Sequence, residues 1–577
     1  MKKFTVLLFA VLTMAATASA DDLLNFKWAH VIDGNTAAGD NMLGLAKASD
    51  GDYYVANTFG TTSTSLNVNF DGSALTGVDG QPIAGSSYTG TSVNNNLLLQ
   101  KVDANGDVVW NAYTKKGDIS VNSSAVAATP DGGVIAVVKT RAWVKEEGYD
   151  NLLEVVDGTG ATTTIKDMNT QASEYRFLIV KLDNQGKLAW TRLVSGLVKT
   201  IDTKQTKDNA YLNGCAVDAD GNLYLAGNFR TELTFKKADG SNGTLVAKNA
   251  ETWNGDSQKT VGDLFLVKLD KDGYFEKSLL LDGAVQLAYI DRLSVNGGKI
   301  YFNGRVLNSA DDNALSLGGK SLKASAAFQT LFVGAANTAD LSVDYVTALT
   351  SVANSSNKFV LQNKNLQYAD GAVYMTGLLN GGLQAANNVA TATNSTMLKG
   401  YVVKVDAATG NVAAMGVHDT EAKGINGYFG VYVGSKVYAY AYDMGSGSKV
   451  VMSTFDKNSL AKEGDDAEVA SYGSSLVAPV VDGNTVVLAS RGKGNATFTG
   501  TDKTFTGIST WAVAYYSYTV NETATAINTA TANATVANYG VYTTAGVQVK
   551  QAKSLQHATA NLQKGIYIVG NKKVATK

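Results

Sequence analysis

Two kinds of short apolar run alternate along this chain from residue 51 to residue 520. The first kind starts at a Gly-containing turn and continues as a strand-like run rich in β-branched and aromatic residues. It occurs at Gly51–Phe59 (GDYYVANTF), Gly132–Thr140, Gly221–Phe229 (GNLYLAGNF), Gly298–Val306, Gly371–Leu379, Gly434–Asp443 and Gly483–Arg491. The second kind follows each of these: Asn96–Gly106 (NLLLQKVDANG), Phe177–Gly186, Leu264–Gly273 (LFLVKLDKDG), Leu331–Asp340, Tyr401–Gly410, Val450–Ser459 and Trp511–Val520. Runs of this length and composition, bounded by turn residues, predict buried strands. The Asp-x-x-Gly endings combine a side chain that bonds its own backbone with a Gly free to take positive φ.

Each pair predicts two further strands. One precedes the first turn, as at Cys215–Asp218, and one follows the second, as at Asp107–Lys115 with Trp110 and Lys187–Leu193 with Trp190. Four antiparallel strands recurring seven times predict an all-β fold, a seven-bladed β-propeller of four-stranded blades. The last unit lacks a fourth strand. Phe26–Asp33 (FKWAHVID) carries Trp28 where fourth strands carry Trp110 and Trp190, so it is expected to complete that unit and leave no open edge. The phrases DADGNLYLAGNF and DLFLVKLDKDG resemble the SBBP-type propeller repeats of bacterial exported proteins. The resemblance spans roughly residues 24–520 and is weaker where the Lys-Leu-Asp triplet is lost. It implies a fold rather than an activity.

Both ends of the chain read differently. Lys2 and Lys3, an apolar stretch from Phe4 to Met14 and Ala18-Ser19-Ala20 form a signal peptide over residues 1–20. The propeller is then expected over 21–520, a small polar linker over 521–535 and a C-terminal β-module over 536–577. The tail, with Leu562–Val569 (LQKGIYIV) and the basic Lys572, Lys573 and Lys577, is similar to type IX secretion sorting modules. A small hairpin module is the alternative. These features predict a secreted or cell-surface protein outside the outer membrane, with the periplasm as the fallback. No later run is long enough to cross a bilayer as a helix.

Composition limits the chemistry. With 49 Lys+Arg against 51 Asp+Glu the net charge is −2, which argues against a nucleic-acid partner. Cys215 is the only cysteine, so no disulfide can form within the chain, and the residue reads as a buried small hydrophobe. The three histidines, His30, His418 and His557, are too few and too scattered for a zinc site; no metal is expected. His30 and His418 fall in fourth strands or at their ends, which favours packing over a catalytic triad. The acidic turns at Asp103, Asp218 and Asp270 resemble calcium loops but lack the terminal bidentate Glu, so calcium is a minor possibility and no cofactor is expected.

Long connections between second and third strands, Thr58–Asn95, Arg141–Arg176 and Arg230–Asp263, should emerge on one face. They carry Tyr88, Trp143, Tyr149 and Trp253, aromatic residues able to stack on sugars or anchor a protein. Alternatively these aromatics pin the loops or sit in small extra hairpins. The expected role is a non-catalytic binding scaffold for a glycan or protein partner. The alternative is a propeller enzyme, a polysaccharide hydrolase or lyase, using carboxylates at the channel mouth. Catalytic residues and oligomeric state are not indicated.

Overall fold

The computed structural model describes residues 23–522 and 539–576, with breaks in the connections, the longest at 84–93, 143–152, 166–175, 353–360, 392–398 and 553–561. Residues 23–522 form one compact unit and the tail belongs to another. Residues 1–20, read above as a signal peptide, lie outside the described residues.

The large unit is all-β and propeller-like. Its first sheet orders Asn41–Lys47, Tyr53–Thr61, Asn94–Val102 and Val108–Lys115 as consecutive antiparallel neighbours. The second repeats this with Gly117–Ala128, Val134–Ala142, Arg176–Leu182 and Leu188–Val194. The third uses Ala210–Val217, Leu223–Phe229, Asp263–Leu269 and Phe275–Asp282. The fourth uses Val285–Asn296, Lys299–Ser309, Thr330–Asn337 and Val343–Val352. The fifth uses Leu361–Ala369, Ala372–Leu379, Lys399–Asp406 and Val412–Val417. The sixth uses Ile425–Val433, Val437–Asp443, Lys449–Phe455 and Lys462–Ala470. The last sheet pairs Ser475–Leu476 and Val480–Asp482 with Thr485–Thr497, then Thr504–Val520. Its fourth strand is Leu24–Gly34, running from Leu24 opposite Val520 to Ile32 opposite Val513. The N-terminal strand thus completes the final sheet, as its Trp28 foretells.

Central strands are buried on both faces because each sheet lies between two others. Tyr54, Ala56 and Leu99 pack on Ala136 and Val180 of the second sheet, while Tyr53, Val55 and Leu98 on the opposite face pack on Val487 and Tyr515 of the last. The same alternation joins second to third, third to fourth, fourth to fifth, fifth to sixth and sixth to last sheets. Two buried faces require continuous apolar runs rather than alternation, which is why Leu223–Phe229 and Asp263–Leu269 are buried throughout.

The Asp-x-x-Gly turns do more than reverse the chain. Asp183 Oδ1 accepts the N–H of Gln185 and of Lys187, and Asp270 Oδ1 those of Asp272 and Tyr274. The third-to-fourth-strand turn of one sheet then caps the aromatic ring on the fourth strand of the sheet before it. Trp28 Nε1–H donates to Ala104 O at 2.9 Å, and Trp110 Nε1–H to Asn184 O at 3.1 Å. At Gly106 φ is +88°, and a Cβ would lie 2.6 Å from Cδ2 of Trp28; at Gly186 it would lie 2.7 Å from Cδ2 of Trp110. Both the left-handed backbone and the ring contact therefore demand glycine.

The insertions between second and third strands fold back onto the preceding sheet. Val68–Phe70 pairs with Leu24–Gly34, and Leu153–Val156 with Val108–Lys115. Leu315–Leu317 pairs with Phe275–Asp282, and Gly382–Ala385 with Val343–Val352. The third-sheet insertion holds the hairpin Glu232–Lys236 and Asn242–Val246, whose Thr234 exchanges backbone hydrogen bonds with Ser195 at 2.9 and 3.1 Å. These hairpins widen the sheets at the rim.

The tail is a four-stranded antiparallel sheet in the order Gln548–Ala552, Tyr539–Thr543, Gly565–Val569, Lys572–Thr576. It is thus larger than a single hairpin. Among the described residues no helix is long and apolar enough to cross a membrane.

Candidate functional site

The first strand of each sheet lines a central cavity of about 450 Å³. Six of these strands carry a register irregularity at equivalent places: between Met42 and Gly44, Ser120 and Ser124, Leu212 and Gly214, Ile290 and Arg292, Asn363 and Asn365, and Tyr428 and Gly430. The seventh is interrupted at the corresponding point, between Leu476 and Val480. A bulge leaves one residue out of the ladder and re-aims the side chains around it. Here the cavity lining is drawn from this ring: Leu43, Asn213, Arg292, Lys364, Phe429 and Ala478. Glycine follows the extra residue where first strands crowd each other. A Cβ on Gly44 would lie 2.7 Å from Cγ1 of Val126, and one on Gly430 2.5 Å from Cδ of Pro479.

Arg292 and Lys364 are the charged residues among this described lining. The Arg292 Nε–H donates to Lys364 O at 2.8 Å, and Nη1 donates to Asn213 O at 2.8 Å and to Asp291 O at 2.7 Å. One guanidinium thereby ties together the first strands of the third, fourth and fifth sheets. Burial pulls its pKa below the usual guanidinium range. The Lys364 ammonium stands 5.3 Å from the centre of the Phe429 ring, a cation–π contact. Burial, reinforced by the Arg292 and Arg305 guanidiniums, brings Lys364 down to about 8.

Behind this pair, Asp291 faces the sheet interior and is 5% exposed. Arg305 Nε lies 3.4 Å from its Oδ1, and Asn363 Nδ2 donates to its Oδ2 at 2.9 Å. Tyr401 OH donates to Asn363 Oδ1 at 2.7 Å, and the Arg305 guanidinium lies 4.5 Å from the Tyr289 ring. This network fixes Asp291 away from the cavity. Asp291 thus acts on Arg292 and Lys364 only at a distance, offsetting part of their charge without pairing with either.

Cys215 also lines the cavity. Burial pushes its thiol up to about 12, far from thiolate chemistry at neutral pH. The folded protein should react with a charged thiol reagent at pH 7 at least tenfold more slowly than the urea-unfolded chain, as absorbance of the released chromophore would show. Equal rates would mean an accessible, reactive thiol.

The two described histidines, His30 and His418, serve packing, and His557 lies outside the described residues. His30 Nδ1 is 2.8 Å from Asp71 Oδ2 and its ring stacks on Phe70 at 4.9 Å. His418 Nε2 is 2.7 Å from Asp466 Oδ2, while Ser453 Oγ donates to Asp466 Oδ1 at 2.6 Å and receives the Tyr428 hydroxyl at 2.7 Å. Ser, His and Asp meet here, but both Ser and His bond the carboxylate and the serine is fully buried. The serine proton goes to the carboxylate rather than to the imidazole, so the order required of a nucleophilic triad is absent from this cluster.

Of the residues picked out in the insertions, Tyr88, Trp143 and Tyr149 lie outside the described residues. Trp253 falls in the two-residue strand Trp253–Asn254, paired with Ser257–Gln258. Trp253 is thus the one of the four whose backbone the structure describes. Among the described residues no group of three or more His, Cys, Asp or Glu is placed to hold a metal. At the calcium-like turns, Asp103, Asp218 and Asp270 each direct Oδ1 to backbone N–H groups two and four residues on.

The channel residues escaped sequence reasoning because they lie outside the two recurring phrases. One signal exists: a bulky or polar residue before Gly, at Leu43-Gly44, Asn213-Gly214 and Phe429-Gly430, recurs in three first strands.

No family model matches the chain, and no curated protein matches it. Solved structures to which the chain is distantly similar include a protein of unknown function from Dyadobacter fermentans, 10% identical, with 70% of this chain and 96% of that one covered at a TM-score of 0.36. The polysaccharide lyase Uly1 is 11% identical over 85% of this chain and 98% of its own, at 0.34. A quinohemoprotein alcohol dehydrogenase from Comamonas testosteroni is 11% identical over 87% and 77%, at 0.33. Similarity at this level assigns no activity.

Proposed function

We propose that this protein is an exported seven-bladed β-propeller that acts as a non-catalytic binding scaffold, holding a glycan or protein group in its central channel. The observation that carries the reading is the ring of six strand irregularities and one interruption around a single cavity, to which Arg292 and Lys364 contribute two cations. A cavity near 450 Å³ falls within the ~300–1,000 Å³ common for ligand sites. Its cationic and amide-bearing lining complements an anionic or polar ligand. Glycoside hydrolysis would instead ask for a facing pair of carboxylates, and Asp291 is turned away and bonded.

In the third and fifth sheets the bulge lies in the half of the first strand nearer the second-to-third connections. The insertions carrying Tyr88, Trp143, Tyr149 and Trp253 would then supply an outer contact surface around the same mouth. Residues 1–20 direct export, the tail serves as a sorting module of type IX character, and the mature protein resides at the cell surface or outside the cell. These readings rest on the SBBP-like and sorting-like sequence features.

Glycan-array and pull-down binding by the full mature chain tests the scaffold role. Trp143→Ala with Trp253→Ala should weaken binding several-fold without altering the thermal midpoint. Undiminished binding would remove the insertions from the site. Turnover of a polysaccharide with release of reducing or unsaturated ends would replace the scaffold reading with an enzyme.

A further inference from the structure

We infer that the channel is built for the carboxylate of an acidic sugar, a uronic-acid residue whose anionic group sits between Lys364 and Arg292. The inference rests on the scaffold reading and names its ligand class.

Three observations converge on it. First, neither cation is ion-paired among the described residues, and Asp291 offsets their charge only in part. Lys364 Nζ hydrogen-bonds to no acceptor and pairs with no carboxylate among the described residues; its close neighbour is the Phe429 ring. Arg292 spends Nε and Nη1 on the carbonyls of Lys364, Asn213 and Asp291, which leaves Nη2 as a donor pair. Holding two cations side by side in a partly desolvated cavity is costly, and a bound anion offsets that cost. Burial and the neighbouring guanidiniums already pull the Lys364 ammonium down, the response of a charge in want of a partner.

Second, the remaining polar groups suit hydroxyls. Asn365 spends Oδ1 on the Leu366 N–H, and its Nδ2 has no acceptor among the described residues. Asn213 donates Nδ2 to Ile290 O at 3.2 Å, leaving Oδ1 to accept. One amide donor and one amide acceptor beside a cation pair match a polyhydroxylated carboxylate better than a bare inorganic anion. Third, Phe429 adds an apolar edge to the lining, its ring face being shared with Lys364 and 9% of the residue exposed. It is itself held against Tyr442, with ring centres 5.6 Å apart.

The test is calorimetric titration of the full mature chain with sodium D-glucuronate, D-glucose and inorganic phosphate, repeated on Lys364→Gln and Lys364→Arg. Glucuronate should bind and glucose should not. Lys364→Gln should weaken glucuronate at least tenfold, while Lys364→Arg should stay within about threefold; the arginine variant guards against loss of fold. Glucose binding as tightly as glucuronate would overturn the carboxylate assignment. Phosphate binding in the absence of any glucuronate signal would overturn the sugar assignment. If a glycan-array signal from the full chain is unchanged in Lys364→Gln, the channel inference falls and the scaffold stands. Silence in every arm, array included, removes both.

Discussion

Trp28→Ala should cost about 3–5 kcal/mol of stability, the range for deleting a large buried aromatic, and should open the molecule at one seam. Trp28 is 7% exposed. Its ring meets Tyr515 edge-on at 5.9 Å, its Nε1–H bonds Ala104 O, and Gly106 closes over its face. It therefore joins the N-terminal strand, the last sheet and the first sheet at once. Trp110→Ala is the matched control, since Trp110 is 6% exposed and makes the same contact with the Asn184 turn. Both should lower the urea midpoint by similar amounts. Only Trp28→Ala should raise amide exchange selectively over residues 24–34, because that fourth strand is joined to its third strand by no hairpin and meets it from the far end of the sequence. A Trp28→Ala protein within 1 kcal/mol of the parent would contradict the assigned role of the closing strand.

Asp466→Ala should be of similar size, about 3–5 kcal/mol, because it strands polar groups rather than apolar ones. His418 is 1% exposed and Ser453 is fully buried, and both bond this carboxylate; Lys462 Nζ lies 3.1 Å away. Burial alone would raise the Asp466 carboxyl. The hydrogen bonds from His418 and Ser453, aided by the His418 and Lys462 side chains, outweigh burial and hold it at about 2. A folded-state pKa below the unfolded value gives stabilisation that is present above pH ~4 and is lost as pH falls towards about 2, with a ceiling near 2 kcal/mol. Urea titrations at pH 7 and pH 3 should show this loss in the parent and a smaller one in Asp466→Asn. An equal acid loss in the two proteins would assign the effect to other carboxylates.

The strand phrases were legible because sheets packed on both faces demand unbroken apolar runs, and because capped turns demand Asp and Gly at set positions. Trp28 announced the closing strand for the same reason: a tryptophan in that register needs a neighbour's turn above it. The channel was illegible. Its residues belong to first strands, whose inner face meets a cavity rather than a sheet, so each position is free to differ. Asn213, Asp291, Lys364 and Phe429 occupy one structural position and share no property. Small extra hairpins in the insertions were foreseen as an alternative, but their partners were hidden, since pairing of Val68–Phe70 with Leu24–Gly34 joins segments with no local pattern in common.

Pairing of Leu24 with Val520 also sets a timetable. The segment synthesised first among the strands finds its partner only after nearly the whole β-unit has been made. Until then the nascent chain is an open stack with an apolar flank, Tyr53, Val55 and Leu98, waiting for Val487 and Tyr515. Loop-closure entropy on that scale is paid once, in a single late step. A chain truncated anywhere before residue 513 should thus accumulate as an unclosed, association-prone species rather than as a smaller folded protein.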